Sequence, residues 1–157
     1  APNSRAGRCP ILERKRMTID LNEKYPGAGS FKFGDSDAMN AELIALVRAG
    51  KKTATCGKAS DFADDPGSLP VVGRRDIVTN WDGSPAVVIE TISVERKAFD
   101  AIDAEFALAE GEDATHADWA KSHRAYFERN GGWSGDMEMI CERFKVVEDL
   151  IDWESAT

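Results

Sequence analysis

Two lysines, two threonines and a cysteine fall within six consecutive residues, Lys51-Lys52-Thr53-Ala54-Thr55-Cys56. A threonine hydroxyl is a weak nucleophile and needs a base. A lysine can serve only where burial or a cationic neighbour pushes its pKa down. Lys51 is such a neighbour for Lys52. Side chains alternate along an extended segment, so one of the two lysines points inward. A strict strand would also send Lys52 and Thr55 to opposite faces. If they cooperate, the chain must bend between them, and Gly50 lies close enough to begin that bend. The competing reading is a solvated lysine pair at a helix C-terminus, where cations favour the helix dipole, running into an ordinary strand.

Other reactive side chains are sparse. No phosphate-binding loop, dinucleotide glycine fingerprint or serine elbow is present. His116 and His123 are seven residues apart and lack clustered partners, which argues against zinc, so no metal or cofactor is expected. His123 reads as packing beside Trp119. Cys56 and Cys141 read as small buried hydrophobes, although Cys56 with a distant histidine could make a thiol nucleophile. Glu90, on an apolar strand face, reads as a carboxylate at a strand edge or hydrogen-bonded in the sheet.

The elements that must position these groups follow from periodicity. Residues 22–30 are loop-like, and Phe31–Phe33 forms a short strand. Ser36, between two aspartates, caps a helix over 37–48, with Met39, Leu43, Ile44 and Val47 on one face and Gly50 ending it. Residues 57–70, rich in Gly, Asp and Pro, form a long loop of the kind that carries function. Arg75–Trp81 and Ala86–Val94 are the arms of a hairpin turned at Asp82-Gly83, with Val88, Ile92 and Val94 on one face. Helices follow at 100–110 and, capped by Thr115, to about Arg129. Met139–Val147 is the last strand. The hairpin and the lack of regular βαβ alternation predict an α+β fold, a curved or barrel-like mixed sheet flanked by helices.

Composition sets the outer limits. The chain has 157 residues, 42% of them apolar, enough for one domain with one core. Three scattered cysteines suggest a reducing cytoplasm rather than a disulfide framework. No run is long enough to span a membrane. Residues 1–16 carry five cations against Glu13, a local charge of +4, so the total of −8 leaves −12 on the remainder. Residues 1–30 are expected to be a flexible leader and 151–157 a tail. An acidic body disfavours tight non-specific binding of long nucleic acid.

The motifs taken together resemble the ASCH-domain family over about residues 31–147. Phe33-Gly34-Asp35-Ser36, Gly50-Lys51-Lys52-Thr53-Ala54-Thr55 and Val72-Gly73-Arg74-Arg75 carry that resemblance. So do Val88-Ile89-Glu90-Thr91, Ala104-Glu105-Phe106-Ala107, Glu110-Gly111-Glu112 and Cys141-Glu142-Arg143-Phe144. The resemblance implies a PUA-like β-barrel over residues 31–150, with a cleft suited to RNA or a nucleobase. One branch of that family hydrolyses N(4)-acetylcytidine with a lysine, a threonine and a glutamate. Its Lys-Thr-x-Thr motif matches Lys52-Thr53-Ala54-Thr55, and its glutamate matches Glu112. This chain departs from the compact members in its longer 57–70 loop, in residues 130–138 and in Arg143, where they carry an acid.

Two functions are therefore expected to compete. In the first, an amidohydrolase, neutral Lys52 takes the Thr55 proton, Thr55 attacks the acyl carbonyl, and Glu112 orients the base or moves a proton to the departing amine. Lys51, Arg74, Tyr126 and Arg143 would hold the substrate, a modified nucleoside. In the second, an RNA-binding protein or metal-independent ribonuclease, Lys51, Lys52, Arg74, Arg75, Arg124 and Arg143 grip phosphate while Trp81 or Tyr126 stacks a base.

Overall fold

The computed structural model describes residues 20–153; the basic segment 1–16 and the last residues of the tail lie outside the described residues. Asp20 caps a short helix α1 (Leu21–Lys24), followed by β1 (Ser30–Lys32), α2 (Asp37–Arg48), β2 (Ala54–Lys58) and β3 (Arg75–Thr79). Then come the long strand β4 (Pro85–Ala98), α3 (Ala104–Ala109), α4 (His116–Arg129) and β5 (Glu138–Asp149). The strands form a five-stranded mixed sheet in the order β1-β3-β4-β5-β2. Among the described residues only the β1–β3 pair is parallel. The architecture is the expected α+β one.

Local chemistry explains the helix ends. The Ser36 hydroxyl accepts the Met39 N–H at 3.2 Å, and the Thr115 hydroxyl accepts the Asp118 N–H at 3.1 Å. Gly50 closes α2 at a φ of 75°, a left-handed conformation open to glycine. Leu43, Ile44 and Val47 pack against Val78, Val87, Ile89 and Phe144 as one core. A second core lies under α3 and α4, where Phe106, Trp119 and Phe127 meet Ala54, Phe99, Met139 and Cys141. The two cores flank the sheet and leave a cleft where β2 and β5 face α4.

Two features differ from the sequence reading. Part of the expected leader is structural: Leu21 and Tyr25 are buried against Val88 and Leu150, and the Tyr25 hydroxyl donates to Glu148. Ile92, expected to share a face with Val88 and Val94, is 51% exposed. The β4–β5 register shifts between Thr91 and Ser93, so Ile92 is the extra residue of a bulge and turns outward. Glu90 sits on the central strand and is bonded within the sheet, paired with Arg75 at 3.1 Å and Lys145 at 3.8 Å on the two flanking strands. No helix among the described residues is long and apolar enough to cross a membrane.

Candidate active site

The bend required between Lys52 and Thr55 is present. The Lys51 and Lys52 N–H groups both return to the Leu46 carbonyl, at 3.0 and 3.1 Å. The Thr53 N–H instead donates to the Ala109 carbonyl at 2.8 Å, tying the segment to the end of α3. Regular strand begins only at Ala54. The chain therefore turns Lys52 inward and leaves Lys51 exposed before alternation starts.

Gly111 brings the other half of the site to this bend. Its φ is 74°, and a Cβ placed on it would lie 2.2 Å from the Lys51 carbonyl oxygen. Only a glycine lets the turn after α3 press this closely on the 51–52 backbone. Glu110 and Glu112, on either side, are thereby aimed at Lys52. The Lys52 Nζ lies 2.8 Å from Glu112 Oε2 and 3.3 Å from Glu110 Oε1, and it donates to the Ala54 carbonyl at 2.9 Å. It also sits 5.3 Å from the centre of the Phe33 ring.

Helix α4 completes the cluster through an i, i+4 pair on its inner face. The Trp119 indole N–H donates to Glu110 Oε2 at 2.9 Å. His123 stacks on Trp119 with ring centres 4.5 Å apart, as expected. Its Nε2 reaches Glu110 Oε1 at 3.5 Å and Glu112 Oε1 at 4.0 Å. The Cys56 thiol donates to Glu110 Oε2 at 3.2 Å.

These contacts fix the charges. Burial alone would lower the Lys52 pKa, but the Glu110 and Glu112 carboxylates outweigh it and raise the value. The expectation of a neutral lysine base is therefore corrected: Lys52 is a buried ammonium, because its neighbours are two anions and Lys51 faces solvent. Burial would push Glu110 up, but Lys52, His123 and the Trp119 N–H hold it well below the usual carboxylate range. Burial would lower His123 too, yet Glu110 and Glu112 raise it. Burial and the adjacent Glu110 push the Cys56 thiol up, so it is protonated and is no ready nucleophile. The donor atoms of Cys56, Glu110 and His123 lie within 4.8 Å of one another, close enough to bridge a small cation. In this arrangement the Lys52 ammonium already supplies Glu110 with a positive partner.

The cluster forms one wall of a cavity of about 510 Å³, within the range of small-molecule sites. Thr55, Cys56, Tyr126 and Phe127 line it too, with Phe31, Phe33 and Leu43 as apolar lining. Arg74, Asp76 and Glu142 also line it, Glu142 beside Thr55 as its partner in the β2–β5 ladder. Asp76 takes the Gly29 N–H at 2.9 Å and the Arg74 guanidinium at 3.0 and 3.1 Å. The long 57–70 loop folds into two short 3₁₀ turns, and Asp61, Phe62, Gly67, Ser68 and Pro70 join the lining.

Of the residues singled out in the sequence, Lys52, Thr55, Glu112, Arg74 and Tyr126 line this cavity, whereas Lys51 and Arg143 do not. Arg143 alternates with Glu142 along β5. It points outward to Glu105 at 3.3 Å and over the Phe106 ring. Glu110, His123, Asp76 and Glu142 were not singled out as site residues. The one signal for the first two was spacing: Glu110 stands two residues before Glu112, and His123 four after Trp119.

The family model for the ASCH domain matches residues 29–148. The chain belongs to the ASCH domain family. Among solved structures, an ASCH domain from Lactobacillus crispatus is 31% identical with a TM-score of 0.71, covering 88% of this chain and 92% of its own. A protein from Enterococcus faecalis is 26% identical with a TM-score of 0.71, over 90% of this chain and 86% of its own. An ASCH protein from Zymomonas mobilis shares the fold at 11% identity and a TM-score of 0.50, over 78% and 68%. No curated protein matches the sequence. The matches agree with the PUA-like architecture: a mixed five-stranded sheet with flanking helices.

Proposed function

We propose that this ASCH protein is an amidohydrolase that removes the acyl group from N(4)-acylated cytosine nucleosides. The observation that carries the reading is a buried ammonium, Lys52, held between two carboxylates on the wall of a nucleoside-sized cavity that Thr55 also lines. Burying that charge without a use would be costly. Beside a reacting carbonyl it is a fixed cation aimed where negative charge develops.

The corrected charge of Lys52 redistributes the roles. The Thr55 hydroxyl attacks the acyl carbon, and its proton passes to the Glu112 carboxylate. Lys52 stabilises the oxyanion. The C–N bond then breaks as Glu112 returns the proton to the departing exocyclic nitrogen, leaving an acyl ester on Thr55. Water, deprotonated by Glu112, hydrolyses the ester, so amide and water become amine and carboxylic acid. Glu110, saturated by Trp119, His123, Cys56 and Lys52, holds the cluster in place.

The surroundings favour a neutral nucleoside over RNA. Lys52 and Arg74 are already paired with carboxylates inside the cavity. Four cations expected to grip phosphate lie outside it: Lys51 is exposed, Arg75 pairs with Glu90, Arg124 with Glu128 and Arg143 with Glu105. The test is incubation of the protein with N(4)-acetyl-, propionyl- and benzoylcytidine, with chromatographic detection of cytidine. Turnover of at least one supports the reading, with the rate depending only mildly on salt. No cytidine from any of them overturns it.

A further inference from the structure

The cavity also carries an acid that the proposed reaction does not use. Glu142 is 7% exposed and lines the cavity. The Thr91 hydroxyl donates to its Oε2 at 2.6 Å. No group among the described residues bonds its Oε1. Within a largely buried residue, a carboxyl oxygen that stays open to a ligand cavity and has no partner among the described residues is one that a ligand can satisfy.

Its position relative to Thr55 follows from the sheet. Thr55 and Glu142 are direct partners in the antiparallel β2–β5 ladder. The Phe144 N–H donates to the Thr53 carbonyl at 3.1 Å, which makes Thr53–Phe144, and two residues on Thr55–Glu142, the hydrogen-bonded type of pair. Such partners have Cα atoms about 5.5 Å apart and side chains on one face. A group on Thr55 and a group on Glu142 can therefore act on neighbouring atoms of one planar ligand. In an N-acylated base, the acyl carbon and the ring nitrogen beside the acylated amine are such neighbours.

We propose that Glu142 reads the base, its Oε1 sharing one proton with the unprotonated ring nitrogen adjacent to the exocyclic amine. The site then accepts bases that carry a bare ring nitrogen beside an amino group, cytosine above all, and rejects uracil, whose corresponding nitrogen carries its own hydrogen. Burial and the nearby Asp76 push the Glu142 carboxyl up, against the opposing effects of the Thr91 hydroxyl and Arg74, so supplying the shared proton is eased. The geometry of Thr91 also defines a discriminating variant. In Glu142→Gln the Thr91 O–H selects the carboxamide oxygen, and the NH₂ takes the place of Oε1 as a donor to the ring nitrogen. Glu142→Leu has no donor.

This inference rests on the hydrolase reading for where the acyl group lies, but not for base binding. The experiment therefore measures both. Calorimetric binding of cytidine, uridine and 3-deazacytidine, in which the ring nitrogen is replaced by C–H, is compared in wild type, Glu142→Gln and Glu142→Leu. Turnover of N(4)-acetylcytidine and its 3-deaza analogue is measured in parallel. Loss of one hydrogen bond to a partly charged group corresponds to about 10–100-fold. Wild type and Glu142→Gln should prefer cytidine over both analogues by that factor, and Glu142→Leu should show no preference. Equal binding of cytidine and 3-deazacytidine by wild type overturns the inference, as does an unchanged preference in Glu142→Leu or no cytidine binding at all. Turnover that ignores the 3-deaza change sinks the role of Glu142 and leaves the hydrolase standing. Glu142-dependent cytidine binding without turnover does the reverse.

Discussion

Two polar groups line the cavity, are built from the same kinds of residues and handle charge in opposite ways. In one, Lys52, Glu110, Glu112, His123, Trp119 and Cys56 bond one another in a closed set, with Glu110 at its centre. In the other, Arg74 and Asp76 neutralise each other while Glu142 keeps an oxygen without a partner among the described residues. The lesson is that a saturated cluster is suited to hold a fixed field for chemistry, whereas an unsaturated acid is suited to recognition. Polar networks in low dielectric are stable only when every member is satisfied. The buried part of the first group, centred on Glu110, should therefore fail as a unit, and the second group should tolerate change at a cost in selectivity.

The largest break in that contrast is expected at Gly111. Gly111→Ala adds a Cβ 2.2 Å from the Lys51 carbonyl at a φ of 74°, so the turn carrying Glu110 and Glu112 must move. The cost expected from chemical denaturation is above about 4 kcal/mol, with loss of activity. Near-wild-type stability would mean that the close approach is not needed. Glu110→Gln comes next. It leaves Lys52 and His123 short of a buried counter-charge and should cost about 3–5 kcal/mol by denaturant titration. The cost should shrink as pH falls below 4.5 through the depressed folded value of Glu110, because that carboxylate contributes only while ionised.

A smaller, pH-dependent effect distinguishes His123. Its folded pKa is raised above 6.5, so its contribution is complete below 6.5 and is lost as pH rises through the folded value. The difference in melting temperature between wild type and His123→Gln should accordingly narrow as pH climbs above 6.5. A gap that widened would contradict the ion pairing of His123 with Glu110. The smallest effects belong outside both groups. Lys51→Ala and Arg143→Ala should change stability by less than about 0.5 kcal/mol and turnover by less than about twofold. A large loss of turnover in either would bring that residue back into the site.

The sequence made the frame of this site legible more readily than its charges. Helix α2 and helix α4 follow from Ser36, Gly50, Thr115 and their apolar periodicity, because caps and amphipathic faces are local properties. That one of the two adjacent lysines turns inward was legible too, because side chains alternate, whereas the choice of Lys52 came from the Lys-Thr-x-Thr motif. The charge of Lys52 was not. It depends on Glu110 and Glu112, about 60 positions along the chain, brought to it by a turn whose only sequence sign is Gly111. A buried acid such as Glu110 or Glu142 leaves no periodic trace, because alternation identifies the apolar members of a face and is silent on a paired ion. The Ile92 bulge was hidden for a related reason: an extra residue shifts the register without changing composition.

Single-turnover hydrolysis of N(4)-acetylcytidine by wild type and Glu112→Gln tests the central claim most directly. Glu112 is 22% exposed at its side chain, so the amide substitution should leave the fold intact, as circular dichroism would show. The expected result is cytidine release by wild type and a rate lower by about 10²–10⁴-fold in Glu112→Gln. Equal cytidine release by the two proteins would contradict the assignment of the Lys52–Glu112 pair as the catalytic centre.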